Sequence, residues 1–218
     1  MEIGLIFLAI ILASLITWII KQTINVQPWV ADGVTEASYQ APFNARPKVV
    51  ALVTLLAVIT SFFALLVSAY SLRMELGDWI PLSEPQLLWT NTVILALASL
   101  AFQWTRNAAG AGNTRRLKPG LLISGLLTAA FLVGQYIAWQ QLNAAGHYIT
   151  SNPADAFFYL LTGLHALHIL GGMYVWGRAT VRVFSGDDNA AESIQLCTVY
   201  WHFLLVVWLV LFGLMLST

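Results

Sequence analysis

Three histidines are the residues best suited to chemistry in this 218-residue chain, because they lie inside long apolar segments. His165 and His168 are three residues apart, a spacing that places both on one face of a helix. His202 follows Tyr200 and Trp201 in a later apolar segment. Ionisable side chains in such segments are candidate ligands of a metal or haem, or candidate members of a proton relay.

Each of these functions meets an objection in the sequence. A metal site usually needs further ligands that are themselves held by hydrogen bonds, and the apolar segments contain no Asp, no Glu and no second cysteine. Two histidines three residues apart cannot bind opposite faces of one haem. The remaining interpretation is that neutral imidazoles hydrogen-bond between helices or contact lipid headgroups. The sequence favours this structural or lipid-contact role and leaves the proton relay and the metal or haem site open.

Three more side chains are candidates for a structural or lipid-contact role: Gln135, Trp201 and Trp208. A buried amide such as that of Gln135 commonly links helices in lipid, for about 0.6–2 kcal/mol. Most tryptophans of the chain fall near segment ends, where the membrane interface would be, but Trp201 and Trp208 lie well inside their segment. An indole N–H away from the interface needs a partner, so we expect this face to pack on protein.

Composition shows which elements must position these side chains. The chain is 59% hydrophobic and 9% charged, whereas a soluble domain carries roughly 25% charged residues. Its formal net charge is zero, so no basic surface indicates binding to nucleic acid. The single cysteine, Cys197, excludes an internal disulfide framework. The sequence therefore predicts an integral membrane protein.

Six apolar segments are long enough to cross the roughly 30 Å of a bilayer core as helices. They cover residues 4–20, 49–72, 86–104, 121–140, 157–176 and 194–216. Their runs are unbroken, whereas a transmembrane β-barrel shows alternating strands of about ten residues. The predicted fold is an all-α integral membrane bundle of six transmembrane helices.

The distribution of Lys and Arg predicts the orientation of these helices. Nine of the ten lie in the first, third and fifth connections between the predicted segments. Only Arg73 lies in a connection on the opposite side of the membrane. Positive residues remain on the cytoplasmic side, so both termini should lie outside. No positive residue precedes segment 4–20, which favours a retained span over a cleaved signal peptide. We expect an N-terminal anchor with an extended cytoplasmic loop (1–48) and a five-helix bundle (49–218).

Several motifs resemble a known family. Residues 158–172, FYLLTGLHALHILGG, resemble the penultimate helix of subunit III of haem–copper terminal oxidases, the bacterial type of the cytochrome c oxidase subunit III family. Residues 200–209, YWHFLLVVWL, resemble the last helix of that family. Weaker resemblances occur at 62–70, 88–92 and 131–139. The resemblance covers about residues 49–217, and residues 1–48 contain no recognised motif.

The resemblance implies a non-catalytic accessory subunit of a respiratory oxidase in the bacterial inner membrane. Subunits I and II would be its partners, and the catalytic subunit would hold the haems and copper. The chain itself would bind no cofactor other than phospholipid, and it would support assembly, lasting activity and proton uptake. Many family members carry carboxylates where this chain has Ile59, Ala138 and Leu205, so it should not relay protons along acids of its own.

Three other functions compete with this interpretation. A subunit III-like accessory protein of a nitric oxide reductase fits the same motifs. A small membrane transporter is disfavoured because the sequence shows no inverted repeat and no Asp, Glu, Lys or Arg inside a span. A haem b electron carrier would need the histidines as axial ligands.

Overall fold

The computed structural model describes residues 47–82, 85–186 and 190–217. These residues form five long helices and contain no β-strand. In chain order the helices are α1 (Pro47–Met74), α2 (Leu87–Gly110), α3 (Thr114–Ala144), α4 (Pro153–Phe184) and α5 (Ala190–Leu216). The first predicted segment, 4–20, and residues 21–46 of the connection after it lie outside the described residues.

All five helices are long and apolar enough to cross a membrane. The shortest, α2, has 24 residues, about 36 Å at a rise of 1.5 Å per residue. Five of the six predicted segments are thus confirmed as long apolar helices, but the helices extend beyond the segments. Hydropathy detects only the apolar part of a helix, whereas its hydrogen bonds continue through polar turns until a capping residue ends them.

The start of α4 illustrates such a polar turn. Asn152 is the N-cap, and its side-chain oxygen accepts from the backbone N–H of Ala154 at 2.6 Å. Pro153 follows at the first helical position, where its missing N–H costs no helical hydrogen bond. The helix therefore begins four residues before the predicted segment 157–176.

The chain divides into two compact units, Met1–Ser68 and Ala69–Thr218. Of the first unit, the structure describes residues 47–68, the greater part of α1. In the second unit α2, α3, α4 and α5 form a four-helix bundle in which each helix packs against two others: α2 on α3, α3 on α4, α4 on α5 and α5 on α2. Short connections between successive helices make neighbours antiparallel.

One end of this bundle collects most of its positive charge. An apolar cluster of Ala108, Leu117, Leu121, Val183 and Ile194 brings together the last turns of α2 and α4 and the first turns of α3 and α5. The cations of those turns therefore share this end, which we call the basic end: Arg106, Arg115, Arg116, Lys118, Arg178 and Arg182.

The last turn of α1, just before the connection that leads into α2, carries a cation that is paired with an acid. Arg73 donates two hydrogen bonds of 2.5 Å to the carboxylate of Asp78. The hydrogen bonds from Arg73 lower the pKa of Asp78 below its usual value. The positive charge of Arg73 is therefore balanced by an acid five residues further along the chain.

Candidate functional site

The candidate side chains lie in the core of the α2–α5 bundle, where α5 contributes two tryptophans. Trp201 and Trp208 are 1% and 0% exposed. The indole N–H of Trp201 donates to the hydroxyl of Thr128 in α3 at 3.0 Å, and that of Trp208 donates to the hydroxyl of Thr92 in α2 at 2.9 Å. The face of α5 that carries both indoles thus packs on protein within this chain.

His202 links α5 to α2 through both of its ring nitrogens. Nε2 lies 3.0 Å from the side-chain oxygen of Gln103, and Nδ1 is hydrogen-bonded to the hydroxyl of Ser99. Since the amide oxygen of Gln103 can only accept, Nε2 donates to it, and in the neutral ring Nδ1 accepts from the hydroxyl of Ser99. The amide nitrogen of Gln103 donates onward to Asn107 at 3.1 Å. His202 is therefore part of a hydrogen-bonded row that runs along α2 towards the basic end.

His165 and His168 occupy different surroundings despite their spacing of three residues. The ring nitrogen Nδ1 of His168 lies 2.7 Å from the carbonyl oxygen of Leu164 in its own helix, and the ring is half-buried. The backbone carbonyl of His168 accepts from the hydroxyl of Tyr200 in α5 at 3.0 Å. His165 instead is fully buried in the core.

The ring of His165 lies among aromatic side chains. Its centroid is 6.0 Å from that of Phe131 in α3 and 5.2 Å from that of Trp208 in α5. Neither ring nitrogen has a hydrogen-bond partner among the described residues. The three histidines do not converge, and the described part of the chain holds no group of three His, Cys, Asp or Glu that could bind a metal ion.

Gln135 does not make the interhelical hydrogen bond that its position predicts. It is 2% exposed, and within the described chain neither its amide nitrogen nor its oxygen has a partner. Asn91 of α2, which the sequence analysis did not identify as a candidate, is 0% exposed. Both of its polar atoms also lack a hydrogen-bond partner among the described residues. An asparagine within an apolar segment is the signal that could have identified it.

An apolar groove runs along the outer surface between α3 and α4. Its volume is about 290 Å³. Residues of α3 and α4 at helical spacing form its two walls, among them Leu132, Gln135, Tyr136, Gly163, Ala166 and Leu167. Tyr136 and Leu167 are more than half exposed, so the groove opens to the surroundings of the bundle.

A buried carboxylate near the start of α4 was also missed. Asp155 is 0% exposed, and its Oδ2 accepts from the amide nitrogen of Asn152 at 3.0 Å. Both of its oxygens lie 3.3 Å from Nδ1 of His147, and Tyr159 donates to the carbonyl of His147 at 2.8 Å. The sequence Asn-Pro-Ala-Asp at 152–155 is typical of a helix start and could have placed Asp155 inside the helix.

Comparison with known proteins identifies the family to which these helices belong. The model of the family described as "Cytochrome c oxidase subunit III" matches residues 4–217. This chain belongs to the cytochrome c oxidase subunit III family. It is therefore an accessory oxidase subunit, a multi-pass membrane protein that works in a complex with other oxidase subunits.

Named members of the subunit III family cover most of the chain. It is 28% identical over 218 residues to cytochrome c oxidase subunit 3 of Candida parapsilosis. The matched region covers 93% of this chain and 78% of that protein. It is 31% identical over 176 residues to the probable cytochrome c oxidase subunit 3 of Mycobacterium tuberculosis. This match covers 77% of this chain and 87% of that protein. The subunit III match begins at residue 4, which corrects the expectation that residues 1–48 carry no resemblance.

The three positions at which the family resemblance led us to expect an acid are apolar here. Ile59 and Ala138 are 3% and 0% exposed, and Leu205 is half-buried. The buried polar groups of α2, α3 and α5 named above are amides, hydroxyls, imidazoles and indoles. They can exchange hydrogen bonds between helices without charge.

Proposed function

We propose that this chain is subunit III of a respiratory haem–copper terminal oxidase in the bacterial inner membrane. It packs against catalytic subunit I, with subunit II as a further neighbour, and the haems and copper lie in the catalytic subunit. Its role is to support assembly, lasting activity and proton uptake. The observation that carries this proposal is the family match over residues 4–217.

The hydrogen bonds that the candidate side chains of α5 form with other helices support a structural role. Both nitrogens of His202 bond to α2, and the indoles of Trp201 and Trp208 bond to threonines of two other helices. Side chains that hold helices together in this way are not available as ligands. Residues 49–218 would act as a five-helix body, and residues 1–48 as an added anchor with a cytoplasmic loop.

Six transmembrane helices with both termini on the periplasmic side complete the proposal. The six cations at the basic end of the α2–α5 bundle support this orientation, because Lys and Arg accumulate on the cytoplasmic side. Arg73, predicted to lie outside, is paired with Asp78. The groove between α3 and α4 would face lipid, and its apolar walls suit the acyl chain of a bound phospholipid.

The orientation can be tested by labelling introduced cysteines with a membrane-impermeant maleimide. Two single cysteines are introduced in a Cys197→Ala background. Ser217→Cys places one directly after α5, and Ser185→Cys places the other directly after α4, at the basic end. Intact spheroplasts should label Ser217→Cys alone, and inside-out vesicles should label Ser185→Cys alone. The reverse pattern would contradict the proposed orientation.

Purification through a tag on this chain tests the function itself. Mass spectrometry should find a haem–copper catalytic subunit, and the purified complex should show its haem spectrum and reduce O₂. A nitric oxide reductase subunit in its place would support the alternative. A chain that purifies without any haem-containing partner would contradict both.

A further inference from the structure

Three polar side chains of the bundle core lack hydrogen bonds within the described chain. They are Asn91 of α2, Gln135 of α3 and His165 of α4, with exposures of 0%, 2% and 0%. Both polar atoms of each side chain are without a partner among the described residues. An orphaned buried polar group costs about 1–3 kcal/mol. Six such atoms on these three side chains therefore indicate that something binds there.

Asn91 of α2 packs against α3 at Gly134, the residue before Gln135. The carboxamide of Asn91 fills the space that a side chain at residue 134 would occupy, since a Cβ added to Gly134 would run into it. Gln135 is the next residue of α3. The glycine thus leaves room beside the backbone of α3 for a polar group that reaches across from α2.

His165 lies at the same level of the bundle. Its ring packs on Phe131, one helical turn from Gln135, and on Trp208. The indole of Trp208 in turn bonds to Thr92, the neighbour of Asn91 in α2. These contacts involve all four helices, so the three orphaned side chains belong to one layer.

Burial and charge restrict what could bind to this layer. At exposures of 2% or less, neither lipid nor a neighbouring subunit can reach the polar atoms. An ion would have no countercharge, because the layer contains amides and an imidazole but no acid or base of fixed charge, and an uncompensated charge at this depth is costly. The ligand must be small and neutral, and it must both donate and accept hydrogen bonds.

We propose that Asn91, Gln135 and His165 bind ordered water, which joins α2, α3 and α4 by bridging hydrogen bonds. A water needs about 10–15 Å³ of probe-occupied space and two to four polar partners. Gln135 also lines the groove between α3 and α4, so this groove lies directly beside the layer. Bridging water hydrogen-bonds nearly as well as a direct partner, and so the layer can hold three helices together without charge.

X-ray radiolysis of the purified complex in ¹⁸O-labelled water tests this proposal, because radicals formed from bound water oxidise the side chains beside it. Trp208 should acquire ¹⁸O several-fold faster than Trp201. The two indoles are a matched pair, at 0% and 1% exposure, and each donates its N–H to a threonine. Equal labelling of the two would overturn the proposal. The measurement uses no oxidase activity, so it is independent of the proposed function.

A double-mutant cycle gives a second reading. Asn91→Leu and His165→Phe should together lower the melting temperature of the complex by less than the sum of their separate shifts, because either substitution displaces water that both side chains share. Asn91→Leu combined with Thr128→Val, at the Trp201 bond, should be additive. Additivity in both pairs would overturn the proposal, and if a variant fails to assemble the labelling result decides alone.

Discussion

At the scale of single residues, His202 shows how a candidate ligand becomes a helix link. His202→Leu removes the partners of the Ser99 hydroxyl and the Gln103 amide oxygen in α2. Leaving such groups unpaired should lower the free energy of unfolding by about 1–3 kcal/mol. His202→Gln can still donate to Gln103 and should lose less. Reversible unfolding in mixed detergent measures both variants, and a His202→Leu variant as stable as the native chain would contradict the assignment.

Asp155 offers a second residue-level prediction, on the connection between α3 and α4. Its carboxylate is buried, accepts from Asn152 and lies beside the ring of His147. Asp155→Ala leaves these donors without an acceptor and should destabilise the chain by about 1–3 kcal/mol. Asp155→Asn keeps an acceptor oxygen and should retain most of the stability. Equal unfolding free energies for the two variants would mean that the hydrogen bonds of Asp155 contribute nothing.

The histidines also predict the colour of the isolated chain. Both nitrogens of His202 are bonded, His168 is bonded to its own helix, and His165 lies between aromatic rings. We therefore expect no Soret band in the chain purified free of other subunits and incubated with haem. A Soret band that disappears in His165→Ala would show that this histidine is a haem ligand.

The sequence predicted which side chains lie inside the bundle better than it predicted their partners. The burial of Trp201 and Trp208 follows from their distance from the segment ends, but Thr128 and Thr92 as partners depend on how four helices rotate about their axes. The same rotation separates His165 from His168. Asp155 was missed because a search for apolar segments stops at the first polar turn, although the helix continues through it.

At the scale of helices, two adjacent glycines of α4 make a matched pair. A Cβ at Gly172 would lie 2.7 Å from the ring of Tyr200 and 3.0 Å from that of Trp201, whereas a Cβ at Gly171 has no atom within 4 Å. Gly172→Ala should force α4 and α5 apart and cost about 1–3 kcal/mol. Gly171→Ala should be neutral or stabilising by up to about 1 kcal/mol. Gly172→Ala should therefore lower the unfolding temperature while Gly171→Ala leaves it unchanged or raises it, and equal shifts would contradict the close α4–α5 contact.

Helix existence was predictable here, and helix packing was only partly so. Long apolar runs identify five described helices because lipid leaves the backbone no other partner. Gly125, Gly134 and Gly172 lie where an added side chain would collide with a neighbouring helix. Which helix each glycine meets required the three-dimensional arrangement, since small-residue spacings recur by chance in any Ala- and Gly-rich segment.

At the scale of the whole molecule, charged and uncharged polar side chains occupy different parts of the bundle. Its cations gather at the basic end, while the core between the ends contains amides, hydroxyls, imidazoles and indoles. Such a body can hold an orientation in the membrane and keep a fixed shape. Without acids in the predicted spans it cannot pass protons along carboxylates of its own. We therefore expect any help with proton uptake to be indirect, through the surface and the lipid that the subunit would hold next to the catalytic subunit.

Removal of the subunit from the proposed oxidase separates indirect help from direct participation. A subunit that shields a helix face and holds lipid protects its partner over many turnovers, while the first turnovers depend on the haems and copper of the catalytic subunit. The stripped oxidase should therefore start at a rate close to that of the complete complex and then inactivate faster during continuous turnover. Oxygen consumption recorded from the first seconds until activity ceases measures both quantities, and adding the purified chain back should restore the lifetime. Complete loss of the initial rate, with haem and copper contents unchanged, would show that the chain takes a direct part in the reaction.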